Sequence, residues 1–365
     1  MKRVVFIYPY LTSYILPVLL GMAESGQVSI DVVYGPLPSG MGFENQPHPE
    51  HPNLSWIQVQ EFRPFGNRFS MYQKGVINHI LKTRPDSIII WANPRFISFW
   101  GVLIVGKILN IPVFSRGHGI FKKKRVGILN KMMYKLILTL SHRYICYTPE
   151  VKTSLTPLVK NLDKLVVDYN TLYNDYPVKP TEKTGLEKGI FYIGRVRGGC
   201  GVDILIQAVD QLNQKEDLNI DLHIIGDGPF GGFLQDQAAK FHWLTYHGKI
   251  FDQKKISDIS RQCRLGCVPG FMGLNVVHML SLSLPVVTHA QLDKHMGPEP
   301  EYVQHEQNGW LLNNPNDLPA LTEALRQLWL LPNDKFRVFQ ENSYKTFLAL
   351  SNPPFHERLL KILEE

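Results

Sequence analysis

The sequence is poor in cysteine and poorer still in the patterns cysteine makes. Its 365 residues hold four, Cys146, Cys200, Cys263 and Cys267, with no C-x-x-C spacing and no secretory leader ahead of them. That excludes a disulfide framework and a zinc site, and it leaves reduced thiols in a cytoplasmic protein as the expectation. The opening MKRVVFIYPYL has two basic residues before an apolar run, but the run is short and meets Pro9, so it reads as a strand and not as a signal peptide. Long hydrophobic runs are missing too. The most apolar stretch, residues 96–109, is too short to span a bilayer and holds Lys107, so a buried helix is expected there. No Asp-x-Asp pair stands at a suitable strand end, and no metal site is expected. Zinc-finger spacing, a recognition-helix signature and aromatic RNA-binding motifs are absent, which argues against nucleic acid as a partner. No low-complexity tract appears, so the chain should be globular, and its length suits two domains.

What charge there is lies unevenly. The net charge is +7, but residues 1–170 carry 20 Lys/Arg against 9 Asp/Glu, or +11, while residues 171–365 carry 19 against 23, or −4. A basic first half favours an anionic partner, such as a phosphorylated substrate or an anionic membrane surface.

The most informative stretch is residues 264–289, RLGCVPGFMGLNVVHMLSLSLPVVTH. A short apolar run ends in Pro269-Gly270; residues 274–282 have apolar side chains at helical spacing; residues 285–287 restart a strand. This is a βαβ turn in which Gly270 and Gly273 let a ligand reach the backbone, and the amides opening the helix suit a phosphate. An ordinary βα turn has the same spacing. Upstream, residues 189–193 form a strand ending in Gly194, and the loop RVRGGCGVD follows, with Arg195 and Arg197 where a phosphate would sit. Val202, Leu205, Ala208, Val209 and Leu212 then mark one face of a helix. A third strand, residues 222–225, ends in Gly226-Asp227-Gly228-Pro229. Glycines recur at the carboxyl ends of strands, where open α/β sheets bind ligands.

The first half repeats the alternation. Residues 4–8 are a strand, followed by a loop with Tyr10, Thr12, Ser13 and Tyr14, whose hydroxyls either bind an acceptor or cap a helix. Residues 30–34 form a second strand and a polar loop runs to about residue 53. A helix is expected over 71–84, strands over 86–91 and 111–115, then Arg116-Gly117-His118-Gly119, where flanking glycines let the imidazole project from a strand end. In residues 126–140, Val126, Leu129, Met132, Met133, Leu136, Ile137 and Leu140 recur at three and four beside Lys131 and Lys135. With Lys122, Lys123, Lys124 and Arg125 just ahead, this stripe suits a helix lying in an anionic membrane interface. It suits a core-facing helix equally, and both can hold. A strand at 144–147, a helix at 150–159 and a strand at 165–167 close the first domain. The expected organisation is 1–170 as one domain, 171–188 as a linker rich in proline and charge, 189–345 as a second domain, and 346–365 as a closing helix.

Four motifs, GRV…GVDILIQAV, HIIGDGP, PGFMGLNVVHMLSLSLPVV, and the PE and NGWLL of residues 298–312, resemble in order and spacing the C-terminal half of the retaining nucleotide-sugar glycosyltransferases of the large family four, which have the GT-B fold. The resemblance implies an α/β chain of two Rossmann-like domains facing across a cleft, with the nucleotide on the second, the acceptor on the first, and the C-terminal helix crossing back to the first domain. Carried onto this sequence, it places Gly194, Arg195, Arg197, Gly228, Gly270, Gly273, Leu274, Asn275, His278 and Glu299 at the donor, with Arg195 and His118 as catalytic groups. His118 is similar to the histidine family members place beside the donor sugar. The pattern departs at two places: the family's Glu-x7-Glu pair falls on Gly270 and His278, and its lysine falls on Cys200. The Pro-Gly-x-x-Gly-Leu-x-x-x-His version resembles a subgroup acting on bacterial surface polysaccharides of O-antigen and capsule type.

The implied reaction moves a sugar from a nucleotide-diphosphate donor to a hydroxyl of a glycan or polyprenyl-linked glycan, with retention and without metal or cofactor. The implied site of action is cytoplasmic, peripheral on the inner face of the cell membrane. The missing glutamates leave a non-catalytic nucleotide-sugar-binding subunit open, and a GT-B sugar-nucleotide epimerase would share the fold. On helical spacing, Val276, Val277, Leu280 and Leu284 form one apolar face of the last helix and His278 points away from it, towards Leu274 and Ser281, where a neutral imidazole can bond one ribose hydroxyl.

Overall fold

Near-continuous apolar runs make strands that are covered on both faces, and strands of that kind pair in parallel. The computed structural model describes residues 1–37, 48–63, 71–120 and 126–365. The chain divides into two units, Met1–Asn170 with Pro353–Glu365, and Thr171–Asn352. Each has its own parallel sheet.

In the first unit, β1 (Lys2–Tyr8), β2 (Val28–Tyr34), β3 (Leu54–Gln58), β6 (Ser87–Trp91), β7 (Val113–Gly117), β8 (Arg143–Cys146) and β9 (Leu165–Val167) form one sheet in the order β3-β2-β1-β6-β7-β8-β9. A small antiparallel pair, β4 (Glu61–Phe62) and β5 (Tyr72–Gln73), stands apart from it. The helices are α1 (Leu16–Glu24), α2 (Val76–Thr83), α3 (Ile97–Leu109), α4 (Ile128–Leu140), α5 (Pro149–Leu155) and, after the excursion through the second unit, α12 (Phe355–Glu364). Val5, Ile7, Ile88, Ile90, Phe99 and Ile137 are among the fully buried residues of the core. Tyr8 pairs with Tyr34, Trp91 with Arg116, and Gly117 with Cys146. The strands therefore end nearly flush, and Pro9, Gly35, His118, Tyr147 and Asp168 share one edge of the sheet.

In the second unit, β10 (Gly189–Ile193), β11 (Asp221–Ile225), β12 (Leu244–Gly248), β13 (Cys263–Cys267), β14 (Val286–His289) and β15 (Gly309–Leu312) are ordered β12-β11-β10-β13-β14-β15, all parallel. Its helices are α6 (Val202–Glu216), α7 (Gly231–Lys240), α8 (Gln253–Ser260), α9 (Asn275–Ser281), α10 (Leu318–Leu330) and α11 (Asn333–Ser351). Local chemistry starts several of them. Asp252 accepts from the amides of Lys254 and Lys255 to cap α8, Asp317 accepts from Ala320 N to cap α10, and Thr148 accepts from Val151 N to cap α5, where Pro149 takes a first-turn position.

In both sheets the strand order reverses beside the first strand of the unit, between β1 and β6 and between β10 and β13. A crevice opens outside the carboxyl ends of the strands at such a switch point. The loops there are residues 9–15 in the first unit, and 194–201 and 268–274 in the second.

Three expectations are corrected. Residues 71–84 are not one helix: Gly75 has φ 95°, which ends helical geometry, and Tyr72–Gln73 pairs as β5 while the Gln73 amide goes to Ser98 Oγ at 2.7 Å. The helix expected over 150–159 stops at Leu155, because Pro157 has no N–H to give the carbonyl of Thr153, and a short 3-10 turn, Thr156–Leu158, follows. Residues 171–188, expected as a linker, pack into the second unit, with Val178 fully buried and its amide donating to Ser281 O at 3.0 Å. The basic run Lys122, Lys123, Lys124 and Arg125 lies outside the described residues.

Candidate functional site

Three loops of the second unit are hydrogen-bonded into one rim at the carboxyl edge of the sheet. Gly194 N donates to Ile225 O at 3.0 Å, Val196 N to Asp227 O at 3.1 Å and Phe230 N to Val196 O at 3.0 Å, which joins the loop after β10 to the loop after β11. Gly270 N donates to Cys200 O at 3.2 Å and Phe271 N to Gly199 O at 3.0 Å, which joins it to the loop after β13. Asn275 ties the third corner: its Nδ2 donates to Ile193 O at 2.8 Å and its Oδ1 accepts from Gly273 N at 2.9 Å. The motifs carrying the family resemblance are thus brought together in space.

The two glycines of the loop after β13 do different work. A side chain on Gly270 would strike the carbonyl of Gly199 and the Asn316 side chain, so this glycine lets two loops touch and is not needed for a ligand. Around Gly273 a Cβ would meet nothing nearer than 3.7 Å, and Glu299 Oε2 lies 3.9 Å from that point. A side chain would fit here in ordinary contact with Met296, Gly297 and buried Glu299, so packing does not require this glycine. Arg195 and Arg197 are half-buried on the central loop, and Arg197 Nη2 lies 3.1 Å from Met296 Sδ, in the turn next to Gly273. Cys200, at the position of the family's lysine, is buried under the loop and supplies no cation. The Gly228 amide serves its own turn, donating to Asp227 Oδ1 at 2.7 Å. Leu274 caps α9, a helix of only seven residues whose first turn is bonded in 3-10 fashion, Val276 N to Gly273 O and Val277 N to Leu274 O, each at 3.1 Å.

His278 is half-buried on α9, and the part of its side of the helix that carries Ser281 is closed. Ser281 on that side is fully buried; its hydroxyl donates to His278 O at 2.6 Å and accepts from Asn174 Nδ2 at 2.7 Å. Residues 174–178 cover it. A helical wheel that counts only apolar residues as buried misses a face closed by hydrogen-bonded polar ones. His278 Nε2 is shut off from solvent without a partner, and burial lowers the ring's pKa to about 4, so it is neutral at pH 7.

Beneath the same loop, His289 and His295 stack with ring centres 3.7 Å apart. His295 Nδ1 takes the amide of Met272 at 3.3 Å and its Nε2 faces His289 O at 2.9 Å, so this ring pins the glycine loop to β14. Sequence reasoning passed over both. Their spacing of six carries no metal or catalytic signature.

In the first unit, His118 follows β7 and packs edge-on to Tyr147, with centroids 4.8 Å apart. The turn after it is held by two buried tyrosines: Tyr144 Oη accepts from Gly119 N at 3.1 Å and Tyr134 Oη donates to Gly119 O at 2.7 Å. Of the hydroxyls in the loop after β1, Ser13 is exposed, and Tyr10 and Tyr14 are half-buried. Thr12 is buried and begins a 3-10 turn, yet its side chain makes no cap and Oγ1 has no partner.

The residue most clearly missed is Glu61. The β4–β5 pair sets its Oε1 against Gly35 and the Pro9 carbonyl, buried and without a partner. Burial raises its pKa to about 6, against the pull of Arg63. A carboxyl group so placed can hold, and accept a proton from, a hydroxyl delivered to the ends of β1 and β2. A short two-residue strand offers no periodicity by which to find it. Arg116 was also missed. It is fully buried between the rings of Tyr147 and Phe355, with Nη1 on Tyr8 Oη at 3.1 Å and Nη2 on Asn170 Oδ1 at 2.9 Å. Asp168, also fully buried, sits 4.0 Å from its Nε and accepts from Arg358 Nε at 2.8 Å. Among the described residues, no group of His, Cys, Asp and Glu has the arrangement to hold a metal ion.

Two doubly wound parallel sheets, with glycine loops bonded at the switch point of the second, define a protein of the GT-B type. Residues 187–330 match the family model described as glycosyl transferases group 1. Solved structures agree on the fold across the chain. HepE of Anabaena, in complex with UDP and glucose, superposes with TM-score 0.68 at 14% identity, covering 100% of both chains. Sucrose-phosphate synthase of Thermosynechococcus elongatus gives 0.70 at 15%, covering 100% of this chain and 98% of that one. The lipopolysaccharide outer core galactosyltransferase WaaB, apo form, gives 0.62 at 14%, covering 95% and 98%. No curated protein matches the sequence. At these identities the structural likeness establishes the fold, and together with the family match it supports a GT-B glycosyltransferase.

Proposed function

We propose that the protein transfers a sugar from a nucleotide-diphosphate donor to a hydroxyl of a lipid-linked glycan in bacterial surface polysaccharide synthesis, with retention of configuration. The observation that carries this reading is the bonded three-loop rim with Arg195 and Arg197 on its central loop and Gly273, which packing does not require to be glycine, beside Glu299. The chemistry requires such a place. As the sugar becomes oxocarbenium-like, negative charge gathers on the departing diphosphate, and preorganised guanidinium groups and loop amides stabilise that charge without reorganising. HepE was solved with UDP-glucose as well as with UDP and glucose, and TarM of S. aureus with UDP and α-GlcNAc-glycerol. These support a nucleoside diphosphate sugar as donor. The likeness to WaaB, a galactosyltransferase of the lipopolysaccharide outer core, supports a surface glycan as the acceptor class.

In this reading Arg195 and Arg197 hold the diphosphate, Glu299 holds the sugar beside Gly273, and half-buried His278 reads a ribose hydroxyl. His118 lies by the reacting carbon, and Tyr10, Thr12, Ser13 and Tyr14 meet the acceptor. No divalent ion is needed, since the sequence offers no Asp-x-Asp pair. The protein acts in the cytoplasm on the inner face of the membrane, held there by α4. Arg195→Ala should reduce kcat by 10²- to 10³-fold, the scale of losing one preorganised donor, or about 3–4 kcal/mol. Turnover of a folded mutant within about threefold of wild type would remove Arg195 from the diphosphate site, and inactivation by EDTA would remove the metal-free reading. The missing glutamate pair favours one rival, a non-catalytic nucleotide-sugar-binding subunit. Donor binding without turnover across a panel of lipid-linked acceptors would decide for it.

A further inference from the structure

The helix α4 is held unevenly. Its carboxyl end is fastened: Ile137 and Leu138 are buried, and Lys164 Nζ donates to the carbonyls of Leu138 at 2.8 Å, Thr139 at 3.2 Å and Ser141 at 2.9 Å. Its amino half is not. Gly127 offers no side chain to cap the first amides, no acidic residue stands in the first turn, and residues 128–133 include no buried side chain. Ile128, Leu129 and Met132 are exposed there, while Asn130 and Met133 are half-buried. A helix of 13 residues is marginal unless packing supports it, so this half lacks most of what would keep it formed.

Tyr134 is the first buried residue of α4 and stands where the two halves meet. Its hydroxyl donates to Gly119 O at 2.7 Å, while Gly119 N donates to Tyr144 Oη at 3.1 Å. The turn these bonds hold is tight: Gly119 has φ 56°, and a Cβ there would come within 3.0 Å of Val151. His118, one residue earlier, packs from that turn against the edge of Tyr147. The Tyr134 hydroxyl thus links the loosely held half of α4 to the position of His118.

An apolar surface carrying negative charge would complete α4. A second copy of the chain could cover Ile128, Leu129, Met132 and Leu136, but symmetric pairing of this face would bring exposed Lys131 and Lys135 of both copies together. An anionic lipid surface takes the apolar side chains and attracts the lysines. We propose that anionic lipid, by ordering the amino half of α4, fixes the His118 turn through the Tyr134 hydroxyl, so that this part of the first unit is fully set only on a membrane. Tyr134 is then a positioning residue, and the coupling rests on the reading that α4 meets the membrane. Its physical basis is ordering: once lipid has fixed the helix, less freedom remains to be lost when the turn is fixed.

Hydrogen exchange on the whole protein, with and without vesicles of mixed phosphatidylglycerol and phosphatidylcholine, reads the amides of His118, Gly119 and Ile120 without needing a substrate. In wild type the vesicles should slow exchange there by roughly fivefold or more. Tyr134→Phe removes the hydrogen bond without touching the exposed face. It should float with the vesicles as wild type does, yet show less than about twofold slowing at those amides. If that variant fails to fold, Leu129→Glu with Met132→Glu alters only exposed side chains and should lose both flotation and slowing. Slowing that persists in this unbound double variant would deny α4 any part in it. Vesicle-bound wild type with unchanged exchange would show no coupling, and equal slowing in Tyr134→Phe would route the coupling past Tyr134. A wild-type dimer in the absence of lipid, broken by Leu129→Glu with Met132→Glu, would give the face to a second copy. Wild type that does not float would remove the membrane reading together with this one. Each of these overturns the proposal, and flotation separates the last from the others.

Discussion

A ring nitrogen closed off from water resists protonation, and His278 turns that resistance into a pH dependence of folding. Its folded pKa, lowered by burial to about 4, lies below the ordinary value near 6.5 that the unfolded chain keeps. Between those values the unfolded state holds more protons, so stability is full above about pH 6.5 and is lost as pH falls towards 4. From pH 7 to pH 5 this one residue withdraws about 2 kcal/mol. Urea titrations of wild type and His278→Leu at both pH values check it: the acid loss should shrink by about that amount in the variant. An equal loss in both would show the ring is hydrated. His247 and His289, lowered by burial to about 4 and about 3, add to the same acid sensitivity in both proteins. At this scale the sequence was least legible. The motif positions 194–197, 270–275 and 299 do meet at one rim, because glycine-bearing strand ends are visible in a linear text. Glu61 and the Arg116–Asp168–Arg358 cluster are not, because their neighbours lie far away along the chain and no periodicity marks them.

Among the elements, α4 answers a question its sequence left open. Tyr134, Ile137 and Leu138 face the core, so the core-facing alternative holds for one side. The other side carries Ile128 at 78% exposed, Leu129 at 78%, Met132 at 63% and Leu136 at 49%, next to exposed Lys131 and Lys135. Burying such side chains in a lipid interface gains about 25 cal/mol per Å² of apolar surface, and each lysine near an anionic surface adds about 1 kcal/mol. Flotation with vesicles should therefore recover the protein with anionic lipid and lose it with neutral lipid or high salt. Leu129→Glu with Met132→Glu should cut recovery at least tenfold, and undiminished recovery of that double variant would take α4 out of the membrane reading. No described helix is long and apolar enough to cross a membrane. Elements were the most legible level: runs such as residues 4–8, 165–167 and 222–225 became β1, β9 and β11 with little change. Leu54–Gln58 and Leu244–Gly248, β3 and β12, went unread because they are outermost in their sheets and half exposed, with polar residues interrupting the apolar pattern.

For the molecule, the decisive feature is that the first unit is made of two separated pieces of chain. α12 buries Phe355, Leu359, Leu360 and Ile362, and its Arg358 reaches the fully buried Asp168 at 2.8 Å. His356 packs directly on Gly21 of α1, at a spot where any side chain would collide. Asp168→Ala leaves two buried or half-buried guanidinium groups without their carboxylate and should cost the first unit about 3–5 kcal/mol. Hydrogen exchange can read the two units apart: amides of β1 and β7–β9 should lose protection in the variant while those of β10–β14 keep theirs. Uniform loss across both sheets would mean the units unfold as one. The same layout orders events during synthesis. A ribosome finishes the contiguous second unit before it makes residues 353–365, so the unit that begins first is the one completed later, and the apolar seat of α12 stays bare in the nascent chain until then, a site for a chaperone to shield.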